Sequence, residues 1–395
     1  MPNSPMPGAL MNTYNRIPLA FVRGEGIYLF DKEGKRYIDA ISGIGVCALG
    51  HAHPAVTRAI CEQAGKLLHT SNLFQIEVQQ QLAERLCRLS GMENSFFCNS
   101  GAEANEAAIK IARLYGHKKG ITNPAILVFD TSFHGRTLAT LSASGNRKIQ
   151  AGFEPLVKGF VRAPFNDIEA VRTIVKNNND LVAILVEPIQ GEGGVYIADE
   201  SFMNELREIT TQKDLLLMLD EVQTGNGRTG RYFAYQHLGW LPDVVTTAKG
   251  LANGVPIGAC LAQGKAATVF QPGNHGSTFG GNLLACAAAL ATVTTIEEGG
   301  YIGNAACMGE QFLTQFRQKL GSHPAVKAVR GKGLMIGIEL SRDCPELVGK
   351  AMEKGLLLNV TSGNVIRLLP PLITNPQQAD EIIAITCSLL ESFTG

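Results

Sequence analysis

The chain is short of charge, of paired cysteine motifs and of long apolar runs, and each shortage closes off a class of protein. Only 18% of its 395 residues are charged, below the quarter or so of an ordinary soluble domain. The 35 basic and 35 acidic residues cancel, so no net field favours a bulk nucleic-acid or anionic-membrane surface. The nine cysteines are odd in number, contain no CxxC and mostly lie in apolar runs, which predicts reduced thiols in a cytosolic protein. Histidines, acids and cysteines never fall at metal-ligand spacing, so no metal is expected. No apolar run reaches the roughly 18 residues of a membrane span, and "MPNSPMPGAL" has no basic stretch leading into an apolar one. These readings predict a soluble, cytoplasmic chain without a secretory signal. A Walker A loop, GxxxxGK[ST], is also missing.

What is abundant points elsewhere. Hydrophobic residues make up 45%, which fits a well-filled core and a buried subunit interface and does not fit disorder. Glycine is frequent, 43 residues, and clusters where apolar runs end, the places that need tight turns and close backbone approach. Residues 27–40, "IYLFDKEGKRYIDA", read as two strands around a turn, and Val78, Leu82, Leu86 and Leu89 repeat with helical spacing. Then come "AILVFD", "LVAILVEP", "LLLMLDE", "DVVTTA" and "GACLAQ", short continuous apolar runs separated by amphipathic segments. That pattern predicts an α/β fold with a mainly parallel sheet buried on both faces. The last hundred residues, with "GLMIGIEL" and "GLLLNVTSGNVIRLLPPL", predict a smaller α+β unit. The expected division is 1–50 and 299–395 for the smaller unit and 51–298 for the larger.

In such a sheet ligands gather beyond the carboxyl ends of the strands, so the strand ends carry the chemistry. Asp220 closes "LLLMLD", Glu187 closes "LVAILVE", and Lys249 follows "DVVTTA". Asp220 reads either as a cap for a neighbouring loop or as an anion facing a cationic ligand group. In "NSGAEANEAAIKIARLY", Ser100 and Glu103 fit a capping box. The small residues Gly101 and Ala102 leave the first N–H groups of the helix open, which reads as a plain helix start or as an anion cradle. "FHGRT" sets Phe133, His134 and Arg136 beside a strand end. Phe133 and Arg136 suit a flat ring and a carboxylate, and His134 reads as a structural histidine.

Residues 225–230, "GNGRTG", match the dinucleotide fingerprint GxGxxG. Four residues separate them from the strand end at Asp220, however, and Asp243 precedes its strand when it should end it. An anion cradle, an aromatic plate, an acid and a lone lysine at strand ends form one set instead. Pyridoxal phosphate requires that set: an amine for the Schiff base, an acid for the pyridinium nitrogen, a phosphate cradle and a surface against the ring.

The motifs "NSGAEANEAAIKIAR", "SFHGRT", "VEPIQGEGG", "LDEVQTGNGRTG", "AKGLANGVPIGA" and "GSTFGGNLLACAAA" together resemble the class III (subgroup II) aminotransferases of fold type I. The likeness runs in order from about residue 14 to the C-terminus. It implies that Lys249 forms the Schiff base and Asp220 pairs with the ring nitrogen. Gln223 lies near the ring 3-hydroxyl, Phe133 stacks on the ring, and Gly101 and Ala102 bind its phosphate. Thr278 reaches the phosphate of the partner subunit's cofactor, which makes a homodimer with shared sites. Arg136, with Ser277 close by, holds the substrate's α-carboxylate, and Arg367 holds that of 2-oxoglutarate or glutamate. Glu187 pairs with Arg367 when that carboxylate is absent.

Within the class, "ALGHAHP" and "SNLF" point to members that act on the terminal amine of N-acetylornithine, in arginine synthesis. Cys47 and Gln75, in segments that help shape the substrate pocket, leave succinylornithine, succinyl-diaminopimelate, ornithine and 4-aminobutyrate as alternative donors. An NAD-dependent oxidoreductase built on residues 225–230 and a catalytically dead, cofactor-free dimer are the rivals from other classes.

Overall fold

A computed structural model describes residues 9–391 and 393. Most of "MPNSPMPGAL", on which the reading of the chain's start was based, lies outside the described residues.

Seven strands form the central sheet, in spatial order Asn94–Cys98, Gly258–Ala262, Val244–Thr247, Leu216–Asp220, Leu181–Val186, Ala125–Phe129 and Phe160–Ala163. The five apolar runs read from the sequence are all present. Four of them are parallel, and Gly258–Ala262 runs antiparallel to both of its neighbours. Only residues 248–257 separate it from the preceding strand, too few for a crossover helix, so the chain turns back.

Alternation along the strands separates two cores. Ile126, Val128, Leu216, Met218 and Val244 pack with Ala107, Ala108 and Ile111 of the helix Gly101–Lys118. Leu127, Phe129, Leu217, Leu219 and Val245 pack on the opposite face with Val171, Phe202 and Leu206, from the helices Ile168–Asn177 and Glu200–Gln212. Both faces are therefore covered, which is why the strands read as unbroken apolar runs. The same alternation sends Asp220 and Thr246 toward the helix Gly101–Lys118.

The two ends of the chain share a second, four-stranded sheet. Phe21–Glu25, Tyr28–Asp31 and Arg36–Asp39 are antiparallel, and Leu356–Leu357 from the C-terminal region pairs parallel to Arg36–Asp39. A third sheet, Val326–Lys332, Met335–Leu340, Val365–Leu368 and Asn359–Thr361, is backed by the helices Tyr301–Leu320 and Pro376–Leu390 and carries Arg367. Among the described residues no single helix is long and apolar enough to cross a membrane.

Asp39 ties the N-terminal segment together. Its Oδ1 accepts from the N–H groups of Ile41 and Ser42, and its Oδ2 lies 2.8 Å from His51 Nε2. Burial alone would push His51 down, but Asp39 and Cys47 outweigh it and raise the imidazole to about 9. A raised histidine stabilises the fold fully below its unfolded value, near 6.5, and loses that contribution as pH rises through 9. The free energy of unfolding should therefore fall by about 3 kcal/mol between pH 6.5 and 9.5. His51→Gln should abolish that part of the decline; an unchanged slope would refute the linkage.

Candidate active site

The helix Gly101–Lys118 follows the strand Asn94–Cys98 after Asn99 and Ser100. Ser100 is its N-cap, accepting from Glu103 N–H at 3.2 Å. Glu103 reaches back past the N-cap to Asn99 N–H at 2.7 Å, so the capping box is displaced by one residue. The N–H groups of Gly101 and Ala102 precede any helical acceptor and open on a cleft of about 440 Å³. Gly101 must lack a side chain, because a Cβ there would meet Val222 Cγ1 at 2.6 Å.

Asp220 is 4% exposed at the end of its strand. Its Oδ2 accepts from Asn105 Nδ2 and meets His134 Nδ1, each at 2.7 Å, and its Oδ1 accepts from Val222 N–H at 3.1 Å. His134 is buried, as expected of a structural histidine, yet it belongs to the site: it lines the cleft and its Nε2 has no partner. Phe133 and Arg136 line the same cleft, with the guanidinium 5.6 Å from the ring centre.

Glu187, 7% exposed, accepts from Phe133 N–H at 2.8 Å. It does not pair with Arg367, as the family resemblance had implied. The short strand Ile189–Gln190 carries the chain onward, and Glu192 is the acid that reaches Arg367, at 2.6 Å. Arg367 also donates to Gln223 Oε1 (3.2 Å) and Asn359 Oδ1 (3.1 Å), while its NH2 is buried without a partner among the described residues. Burial, then the charge of Asp220, push the Glu187 carboxyl well above the usual range, against the Phe133 N–H and Lys249. Burial also works on Glu192, but Arg367, Lys249 and the hydrogen bonds from Arg367 and Gln223 outweigh it and hold that carboxyl below the usual range.

Lys249 follows the strand Val244–Thr247 with a φ of 42°, a left-handed conformation that non-glycine residues seldom adopt away from functional sites. It lines the cleft, and no described residue hydrogen-bonds its amine. Burial pulls the ammonium below its usual range; Arg367 adds to that, and Glu192, Asp220 and Glu187 oppose it.

The glycine-rich residues 225–230 hold the lysine turn in place. Asn226 Nδ2 donates to Thr247 Oγ1 (2.9 Å) and the Ala248 carbonyl (3.0 Å). The buried Arg228 donates to the carbonyls of Leu334 and Pro370. Only a one-turn 3-10 helix, Ala234–His237, follows these glycines, and no helix starts from them directly, so the dinucleotide reading fails. Gly101, Ala102, Phe133, Arg136, Glu187, Asp220, Gln223 and Lys249 all line the cleft. Arg367 reaches it through Glu192 and Gln223. Ser277 and Thr278 lie outside it on this chain: Thr278 is exposed, and Ser277 accepts from Gly280 N–H.

Comparison with known proteins agrees with this geometry. The family model for class-III aminotransferases matches residues 10–390. An acetylornithine aminotransferase of Nitrosomonas europaea is 55% identical over 97% of this chain and 98% of its own. The structure is similar to the ornithine aminotransferase of Toxoplasma gondii, described with PLP at its active site (TM-score 0.92, 33% identity, 95% of this chain and 91% of that one). It also resembles the acetylornithine aminotransferase of Elizabethkingia anophelis (TM-score 0.87, 34% identity, 97% and 96%). The chain belongs to the class-III aminotransferase family.

The burial of Glu187 yields a test. Glu187→Gln keeps the shape and an oxygen acceptor for Phe133 N–H, and should change apoprotein stability by less than about 1 kcal/mol. Glu187→Ala strands that N–H and should cost about 1–3 kcal/mol in thermal or urea unfolding. Equal losses for the two would show that accepting the Phe133 N–H is not what Glu187 contributes.

Proposed function

We propose that the protein carries pyridoxal phosphate and moves the terminal amino group of N-acetylornithine to 2-oxoglutarate, a step of arginine synthesis. The observation that carries the reading is Lys249: an unpaired, desolvated amine in a cleft that also holds a buried carboxylate and a helix start with free N–H groups.

The residues fit the cofactor. The N–H groups of Gly101 and Ala102 sit at the positive end of an 18-residue helix, suited to a phosphate. Phe133 offers a ring face, and Asp220, held by three donors, offers an acceptor for a protonated ring nitrogen. When bound, pyridoxal phosphate supplies an aldehyde carbon that exchanges between amines and a cationic ring that draws electrons from the neighbouring C–H bond.

The protein's part is positioning and proton transfer. Asp220 would hold a proton on the ring nitrogen, and Gln223, which lines the cleft, would meet the ring hydroxyl. Lys249 Nζ takes the proton from the amine-bearing carbon of the donor and returns it to the acceptor, its basicity lowered by burial. Arg136 grips the donor's α-carboxylate, with Ser277 nearby. Arg367 serves 2-oxoglutarate, and Glu192 neutralises the guanidinium while the donor occupies the cleft. The same pocket thus takes two substrates of different charge.

We read the working unit as a homodimer in which Ser277 and Thr278 complete the partner's site. Asn72 ties that segment to the preceding loop by donating to the carbonyls of Ser277 and Gly280. Leu73, Phe74 and Phe279 in these two loops are 87%, 68% and 61% exposed, an apolar surface that suits a second copy. Nine free cysteines support a reducing, cytoplasmic setting.

With the cofactor bound, borohydride should fix it to Lys249, found by peptide mapping. Lys249→Ala should lose that adduct and slow turnover at least about a thousandfold. Arg136→Ala should weaken N-acetylornithine and ornithine about 10- to 100-fold in single half-reactions while sparing a donor that lacks an α-carboxylate. A colourless wild-type protein, or uniform loss across donors, would refute these assignments.

A further inference from the structure

Asn105 lies on the second turn of the helix Gly101–Lys118, is 1% exposed and has every polar atom of its side chain engaged. Its Nδ2 donates to Asp220 Oδ2 at 2.7 Å and to the His134 carbonyl at 2.8 Å. Its Oδ1 accepts from the Thr246 hydroxyl at 2.7 Å. Both groups facing Nδ2 are pure acceptors, so the amide has one workable orientation; flipped, its oxygen would face a carboxylate and a carbonyl.

Each partner belongs to a different part of the cleft. Asn105 itself sits on the helix whose start is the phosphate cradle. His134 follows Phe133, the ring face. Asp220 ends the central strand, and Thr246 lies opposite it in register, three residues before Lys249. One amide therefore fixes the carboxylate relative to the cradle, the ring face and the lysine strand. Val222 N–H and His134 are the other groups bonded to Asp220, and the charges of Glu187, Glu221 and Lys249 also act on it. Of all these contacts, only the amide joins the carboxylate to the cradle helix.

We propose that Asn105 is a positioning residue, which sets the Asp220 carboxylate against the cofactor's ring nitrogen and so governs how firmly that nitrogen keeps its proton. Truncating Asn105 removes a donor to a buried carboxylate and leaves the Thr246 hydroxyl and the His134 carbonyl without their partner. Replacing Thr246 by valine keeps the volume and strands only the amide oxygen, so the amide loses its tie to the lysine strand while Asp220 and the His134 carbonyl still set its orientation. Both changes act on the ring nitrogen without touching the phosphate cradle or Lys249.

The proposal rests on the pyridoxal-phosphate reading, and the experiment separates the two. Wild type, Asn105→Ala and Thr246→Val are reconstituted with pyridoxal phosphate and titrated from pH 5 to 10 by visible absorbance, with cofactor affinity measured on the apoproteins. Wild type must show a pH-dependent visible band that Lys249→Ala lacks; its absence would overturn the cofactor reading. In Asn105→Ala the midpoint of that band should rise by about one pH unit, and cofactor affinity should fall about tenfold or more. Its kcat should fall by a similar factor, with KM for the donor changed less than about twofold. Thr246→Val should shift the midpoint in the same direction by less, and it decides the matter if Asn105→Ala does not fold. Midpoints and affinities equal to wild type, with only thermal stability lowered, would overturn the role of Asn105 and leave the cofactor reading standing.

Discussion

The structure is organised around one costly object, the buried carboxylate of Asp220. A carboxylate at the end of an apolar strand is strongly unfavourable unless donors surround it. Here the donors come from three places: the helix Gly101–Lys118 through Asn105, the loop after Ala125–Phe129 through His134, and the backbone at Val222. To bring Asn105 within reach, the helix must lie close to the sheet. Its sheet-facing positions Ala104, Ala107, Ala108 and Ala112 are accordingly small and fully buried. Satisfying the charge thus fixes the helix, and fixing the helix aims its N–H groups into the cleft.

A second balance surrounds Lys249. Arg367 adds a second cation and three acids stand nearby, so the outcome depends on which of them are charged. Burial pushes the Glu187 carboxyl up, while the ion pair with Arg367 holds that of Glu192 down. Two glutamates five residues apart therefore do different work, one as the acceptor for Phe133 N–H and one as the counter-ion of Arg367. The assignment follows from desolvation against pairing, the usual division at sites where carboxyl groups need opposite states.

The sheet, its two-sided burial and seven residues of the cleft could be read directly, because alternation, strand-end acids and a helix cap are local patterns; Gln223 came only with the family resemblance. The alternation of Leu216, Met218 and Asp220 already turned the acid toward the helix side. Other features depended on contacts distant in sequence. Nothing near "VEPIQGEGG" indicates which glutamate meets an arginine some 175 residues later. His134 is indistinguishable from an ordinary core histidine until Asp220 is placed beside it. Asn105 sits on the buried face of an alanine-rich helix, where an amide is conspicuous, but its partners come from two strands and a loop. The fingerprint at residues 225–230 is set aside on its spacing, but what its glycines do is not legible there: they serve left-handed turns at Gly227 and Gly230 that pack against the C-terminal unit.

The sheet shared by the two chain ends bears on how the protein matures. Arg36–Asp39 pairs with Leu356–Leu357, and Arg367 reaches the cleft through Glu192 and Gln223. Contacts of such long sequence separation form late, after extensive loop closure. The residues that line the cleft itself lie between Val46 and Ile257, so the ion pair of Arg367 with Glu192 is the part of the site that waits longest for the rest of the chain.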